Sequence, residues 1–441
     1  MTRTTTDGSD SAPWPRPAVA WYAVVVLLIA YLFSFVDRII LGFLVVPIKA
    51  DLGVSDAGMG LLLGIAFAIF YTLMGLPIGW LADRFSRRGI IAIGVFLWSL
   101  ATAACGLASS FIQLFIARIG VGVGEAALSP SAFSMIADYF PREKLGRALG
   151  VFVAGAFFGA GLAFLVGGAA LAAVISIGNV ELPLVGVVKP WQLTFFIVGL
   201  PGLAVAGWMM TVQEPARRGL SNKPIATAEV FRFMRAQWRL FAAHFVGFSL
   251  LSLVIVVVLA WGPTLFVRVH GFSQPEVGLK LGLILFFLSS GGVFAGGWLA
   301  DYWQRAGHTD APLRVGILAA LASVPFAIAG NLATSADLAI ALYCPMVFFG
   351  SLAIACAPTA IQLATPNQLR AQVSALYMLS LNIISSILGP TGVGVITDYV
   401  FKDEMAVGAS MALVVGVCAP LAALALWLGR APFRDAVEQH G

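Results

Sequence analysis

The sequence predicts an all-α integral membrane protein with twelve transmembrane helices in two pseudo-symmetric six-helix bundles. Three observations predict it: composition, the spacing of apolar windows, and a repeated pentapeptide. Of 441 residues, 60% are hydrophobic and only 11% charged, with mean hydropathy +0.95. A soluble domain carries about 25% charged residues. Apolar windows long enough to span a bilayer fall at 19–46, 58–81, 90–110, 112–137, 147–172 and 191–212. They resume at 240–267, 277–300, 313–332, 336–360, 372–397 and 407–429. Gly79-Trp-Leu-Ala-Asp83, at the end of the second window, recurs as Gly297-Trp-Leu-Ala-Asp301 at the end of the eighth. The same pentapeptide at the same topological place argues for duplicated bundles.

The polar stretch between the sixth and seventh windows holds Arg217, Arg218, Lys223, Arg232, Arg235 and Arg239. It divides the chain into an N-terminal bundle (1–212), a cytoplasmic linker (213–239) and a C-terminal bundle (240–441). With both termini inside, the outer loops hold five basic residues (Lys49, Lys189, Arg268, Lys280, Lys402) and the inner segments nineteen of the 26. The remaining two, Arg38 and Arg118, lie deep in the membrane. That asymmetry predicts cytoplasmic N- and C-termini in a multi-pass cell (inner) membrane protein. The net charge of +5 is then topological and implies no nucleic-acid partner. The first twenty residues are polar and Pro-rich, and the apolar run after them is too long for a signal peptide, so no cleaved signal is expected.

The four cysteines (Cys105, Cys344, Cys356, Cys418) lie unpaired in apolar runs and read as small hydrophobes. No phosphate-binding loop, metal cluster or nucleophile–base arrangement stands out. The chain is therefore expected to be no enzyme and to need no cofactor, a proton gradient being its driving force. The expected partners are the lipid bilayer and an amphipathic small molecule, with the protein a monomer.

Asp37 and Arg38 sit inside the first window, far from either end. An ionisable residue at bilayer depth costs about 3 kcal/mol even on lenient insertion scales. In the fourth window Arg118, Gly122, Glu125 and Ser129 are spaced to share one helix face. Tyr31, Ser34 and Arg38 form a similar stripe on the first, with Asp37 beside it. Neighbours i and i+1 on a helix do not face each other, so Asp37 and Arg38 must find partners elsewhere, and these are expected on the fourth window. Either the four charges are fixed structural ion pairs, or the acids take up protons and the arginines change partners. The functional reading is preferred, since buried pairs stabilise weakly.

Gly79-Trp-Leu-Ala-Asp83-Arg84-Phe-Ser-Arg87-Arg88 closely resembles the G-x-L-A-D-R-x-x-R-R signature of the major facilitator superfamily. The resemblance covers nearly the whole chain. It implies that Gly79, Asp83, Arg84, Arg87 and Arg88 form a cytoplasmic gate, with glycine allowing close helix approach and the arginines meeting carboxylates or lipid phosphates. The fourth window resembles the superfamily's proton-coupling motif, with Val121 in place of the usual glutamine.

Phe35-Val-Asp37-Arg38, with Arg118-Ile-Gly-Val-Gly-Val-Gly-Glu125-Ala, looks like the Spinster branch of that superfamily. Members of the branch are associated with lysolipids, including sphingosine 1-phosphate and lysophospholipids. The resemblance implies that Asp37, Glu125 and Arg118 serve proton coupling and that Arg38 lies nearest the substrate. Tyr31, Ser34 and Ser129 are expected to line the same substrate site. A drug–proton antiporter or small organic-anion symporter is the alternative, and a non-transporting sensor or gradient-independent scramblase a further one.

Elsewhere Gly155–Gly161 resembles an antiporter glycine motif, with Ala160 where proline is expected, and Gly389-Pro390 makes a comparable string. Both read equally well as packing glycines. His244 reads as an interfacial polar residue. The C-terminal windows are notably apolar, and charge on one cavity wall with hydrocarbon on the other suits an amphipath.

Overall fold

The structure, a computed structural model, describes residues 13–183, 186–217, 227–366 and 368–440. Arg218 and Lys223 of the linker lie outside the described residues, as does the polar stretch 1–12. Helices long and apolar enough to span a membrane cover Pro17–Phe43, Asp56–Ala82, Arg87–Cys105, Phe111–Tyr139, Lys144–Ile177 and Pro190–Met209. The second set covers Trp238–Arg268, Gln274–Arg305, Ala311–Asn331, Ala336–Ala364, Gln372–Phe401 and Glu404–Gln439. These twelve are spans one to twelve below. Their even number puts the linker and both chain ends on one face, here the terminal face. Several helices begin where a serine hydroxyl accepts an otherwise unpaired N–H: Ser55 from Gly58, Ser86 from Gly89, Ser110 from Gln113 and Ser335 from Leu338. A short antiparallel hairpin, Val180–Leu182 with Gly186–Val188, caps the opposite face between spans five and six.

Packing follows depth. On the opposite face one core joins both bundles, with Ile40, Phe43 and Phe164 among the same buried residues as Trp261, Leu265 and Leu281. Towards the terminal face there are two separate cores. Trp98, Met135, Phe152 and Val205 belong to one; Phe248, Leu313, Ile361 and Leu426 belong to the other. The bundles are thus closed against each other on the opposite face and parted on the terminal face.

Glycines make that closure possible. A Cβ added at Gly60 would lie 2.7 Å from the Pro390 carbonyl oxygen, and one at Gly64 2.7 Å from that of Ser386. One at Gly168 would come within 2.9 Å of Gly278 Cα. Gly161, from the string read as an antiporter motif, packs against the Phe286 backbone, which is close helix approach between bundles.

Polar contacts reinforce it. Asp56, fully buried, accepts from Lys49 Nζ at 2.7 Å and from both Nη atoms of Arg268 at 2.8 and 3.0 Å. Lys49 also lies 3.0 Å from Glu404, and Arg268 donates to the Glu404 carbonyl at 2.9 Å. The Asp398 carboxylate accepts the Ala57 N–H at 2.6 Å, at the positive end of the span-two helix. Lys49 and Arg268, read from sequence only as outer-loop charges, are therefore paired across the bundle interface.

His244 is not interfacial as expected. It is buried, with Nε2 2.9 Å from the Ala357 carbonyl and its ring against Phe248 and Tyr377. The aromatic face of span seven, together with spans ten and eleven, draws it into the core.

Candidate functional site

Span four carries the site, and its glycines place it. An added Cβ at Gly122 would lie 2.6 Å from the Phe67 carbonyl of span two, and one at Gly124 2.7 Å from the Trp98 nitrogen of span three. Span four therefore presses directly onto both neighbours. The helix then stops at Glu125 and restarts at Leu128. Pro130 has no N–H for the Ala126 carbonyl and crowds it, so Ala127 bonds three residues back, to Gly124, at 3.2 Å. Arg118 and Glu125 thus share one segment, and Ser129 lies beyond the break. Span ten breaks likewise between Ser351 and Cys356, ahead of Pro358.

Arg38 and Glu125 meet. Arg38 Nε donates to Glu125 Oε2 at 2.6 Å; the glutamate side chain is fully buried, while that of Arg38 is 27% exposed. The guanidinium lies 4.8 Å from the Phe67 ring centroid, 4.7 Å from Tyr71 and 5.7 Å from Phe35. Such ring faces stabilise a partly dehydrated cation. Arg38 thus has one carboxylate partner, three aromatic neighbours and one open side.

Asp37 points elsewhere, as an adjacent helical residue must. Its main-chain carbonyl accepts from Arg118 Nη1 at 3.0 Å, and both residues are buried. The sequence reading paired the two arginines with the two acids. In the structure Arg118 instead spends its hydrogen bond on the Asp37 backbone, and Asp37 Oδ1, Glu125 Oε1 and Arg118 Nε have no partner. The Asp37 carboxyl lies beside Thr102 and Trp98 of span three. Neither was singled out from sequence, because a lone threonine and tryptophan in an apolar run carry no signal.

Two expected lining residues behave differently. Tyr31 stacks on Phe152 at 4.9 Å between ring centroids and meets Phe35 edge-on at 5.2 Å, keeping part of its surface exposed. Ser34 is buried and donates to the Tyr31 carbonyl at 2.8 Å, which takes it out of the lining. Its hydroxyl is satisfied by its own helix.

The motif after span two is spread over three environments. Gly79 faces open space, since an added Cβ would meet nothing within 4 Å, so no helix approaches it closely here. Asp83 and Arg84 are exposed, and the Arg84 guanidinium stacks 3.7 Å from the Trp80 ring centroid. Arg87 is buried, and its partners come from its own half of the chain and the start of the linker. It binds Glu214 at 2.9 Å, Ser134 Oγ at 2.9 Å and the Pro215 carbonyl at 3.1 Å, with Asp138 a further partner. Arg88 donates its backbone N–H to Glu214 at 2.8 Å and its side chain to the Val212 carbonyl at 3.3 Å.

Glu214 is the hub the sequence reading missed. Burial would raise its carboxyl, but the Arg88 N–H, the Arg87 guanidinium and the Ser86 hydroxyl outweigh that and hold it below the ordinary glutamate range. Arg217 beside it donates to the carbonyls of Ala82 and Phe85, each at 2.7 Å, and to that of Asp83, capping the end of span two. In the C-terminal bundle Asp310 has a similar role, binding Arg314 at 2.7 Å and Arg430 at 2.6 Å.

Comparison with known proteins fits this geometry. The chain is 29% identical to an "MFS-type efflux pump" of Mycolicibacterium smegmatis over 98% of its length and 97% of the relative's. It is 26% identical to a "Probable L-galactonate transporter" of Escherichia coli, covering 94% of this chain and 90% of the other. Among solved structures it superposes on a bacterial homologue of the human lysosomal transporter Spinster, inward-facing and unoccupied. That match has a TM-score of 0.77 and 25% identity over 97% of this chain and 98% of the other. Residues 27–390 match the Major Facilitator Superfamily. The chain is a Spinster-like member of the Major Facilitator Superfamily of transporters.

Proposed function

We propose that this protein is a proton-coupled secondary transporter that moves an amphipathic anion, best matched by a lysolipid, by alternating access. The observation that carries the reading is the Arg38–Glu125 pair, an intramembrane cation held by a buried acid yet 27% open on one side. Protonation of Glu125 removes the charge holding Arg38, which is then free to pair with an anionic headgroup. Asp37 acts beside it as the second proton acceptor, its backbone carbonyl bound by Arg118. The apolar C-terminal wall suits a hydrocarbon tail.

Alternating access is supported by the packing, with one shared core on the opposite face and two separate cores on the terminal face. The positive-inside bias makes the terminal face cytoplasmic, so this conformer is open inward in a bacterial-type inner membrane. The protein acts as a monomer, with the proton gradient rather than a bound cofactor as driving force. Asp83, Arg84 and Gly79, unengaged between the bundles here, meet the other bundle only when the cytoplasmic face closes.

The resemblance to a galactonate transporter favours one second reading, symport of a small sugar-acid anion whose carboxylate meets Arg38. The test is flux in proteoliposomes with lysolipid and pH gradient varied independently. Lysolipid flux that follows the imposed gradient supports the proposal. Gradient-driven flux of hexonates alone supports the second reading. Lipid movement unchanged when an ionophore collapses the gradient indicates a scramblase.

A further inference from the structure

The helix Thr227–Ala236 ends the linker and leads through Gln237 straight into span seven. One side of it belongs to the protein interior. Val230 is buried in the terminal-side core of the C-terminal bundle, where Phe233 and Met234 also pack, with the Phe233 ring 5.6 Å from that of Phe241. The other side is largely uncovered among the described residues. Phe231 is 56% exposed and Trp238 is 61% exposed. Arg232, Arg235 and Arg239 are exposed with them, and the Arg239 guanidinium lies 5.7 Å from the Trp238 ring centroid.

A merely solvated basic helix has no use for two large aromatic side chains in water. Their position removes the difficulty: Trp238 opens a spanning helix, so it sits at the depth where headgroups begin. Basic residues interleaved with aromatic ones, on a helix lying at that depth, suit an anionic interface. The same pairing marks other span ends on this face, with Arg84 over Trp80 and Arg147 5.8 Å from the Trp21 ring centroid. Acids are sparse: Glu229 is exposed on the helix, and Asp435 shares a cleft with Arg239.

We propose that Phe231, Arg232, Arg235, Trp238 and Arg239 form a docking surface for anionic phospholipid headgroups that holds the linker helix flat on the bilayer. The arginines pair with phosphate oxygens and the two rings enter the acyl boundary. Because the buried side of the helix is part of the C-terminal bundle's core, the docked lipid anchors that bundle at its terminal end. This holds whatever the transporter carries.

The test compares the full chain in nanodiscs of phosphatidylcholine alone and of phosphatidylcholine mixed with phosphatidylglycerol, reading hydrogen–deuterium exchange over 229–239. Exchange should slow at least ~5-fold in the mixed discs, what one basic residue contributes near an anionic surface. The difference should vanish in R232Q/R235Q/R239Q and persist in the corresponding triple lysine variant. Equal exchange of the wild type in the two lipids overturns the proposal, as does an undiminished difference in the glutamine variant. Exchange in the spans reports whether that variant is folded.

Discussion

Arg38 and Glu125 come from different spans and form a 2.6 Å ion pair in which only the arginine reaches the open side. An acid that is fully buried and a cation that is partly open divide the work between them. The acid can answer to protons and the cation to an anion. Glu125→Gln should therefore leave the protein folded and remove the pH dependence of transport. Unchanged pH dependence would refute the coupling role.

Arg38→Ala should weaken substrate binding by at least ~30-fold, the usual effect of truncating one partner of a desolvated charge pair. Arg38→Lys keeps the charge but not the planar fork that stacks between Phe67 and Tyr71, so it should recover only part of the loss. Isothermal titration with a lysophospholipid decides, and wild-type affinity in Arg38→Ala would exclude the headgroup role.

On the opposite face, Asp56→Asn leaves Lys49 and Arg268 without their shared counter-charge. Breaking a buried pair costs about 3–5 kcal/mol, and the share carried by Arg268, which comes from the other bundle, falls on the conformer closed on that face. Spin labels on the opposite-face ends of spans two and eleven should report a longer distance and a larger outward-open population. An unchanged distance distribution would show that the closure holds without the Asp56 charge.

Those contacts can be tested separately. Gly161→Leu places a side chain against the Phe286 backbone, where neither helix can yield easily. It should prevent opposite-face closure and leave transport near background. Transport within twofold of wild type would show that this approach is dispensable (twofold being about 0.4 kcal/mol).

Glu214 carries a pH prediction for stability. Its carboxyl is held below the ordinary value of 4.5 when folded, so the stabilisation is complete above that value and is lost as pH falls through the lower folded-state value. The melting temperature of the wild type should exceed that of Glu214→Gln by a constant margin at neutral pH, and the margin should close in acid. A margin independent of pH would rule out the ionised hub.

Span number and most span ends were legible from local composition, and the duplicated architecture from the repeated pentapeptide, though the twelfth helix runs ten residues past its window, to Gln439. The window read at 240–267 is the helix Trp238–Arg268, and that at 336–360 is Ala336–Ala364. The four intramembrane charges were legible for the same reason, since each violates its surroundings. Their pairing was less so. The hydrogen bond from Arg118 goes to a backbone carbonyl, which has no sequence signature, and the break at Ala126 hides the turn that separates Ser129 from Glu125. Arg87 was assigned to the gate or the lipid because its partners Asp138 and Glu214 are remote in sequence. Asp56 and Arg268 are 212 residues apart, and nothing local announces that they meet.

At Gly60, Gly168 and Gly278 the opposite-face seal brings bare backbone against backbone, within the apolar core that both bundles share. Surfaces of that kind touch closely without interlocking, so at those points no rotamers must be unlocked when they part. Directional resistance to separation resides in the few charges around Asp56 and in the Asp398–Ala57 bond. The seal therefore behaves as a magnetic catch rather than a zip. It yields within a short travel and re-forms in a single register, which lets proton and substrate occupancy at mid-membrane decide which way the molecule faces.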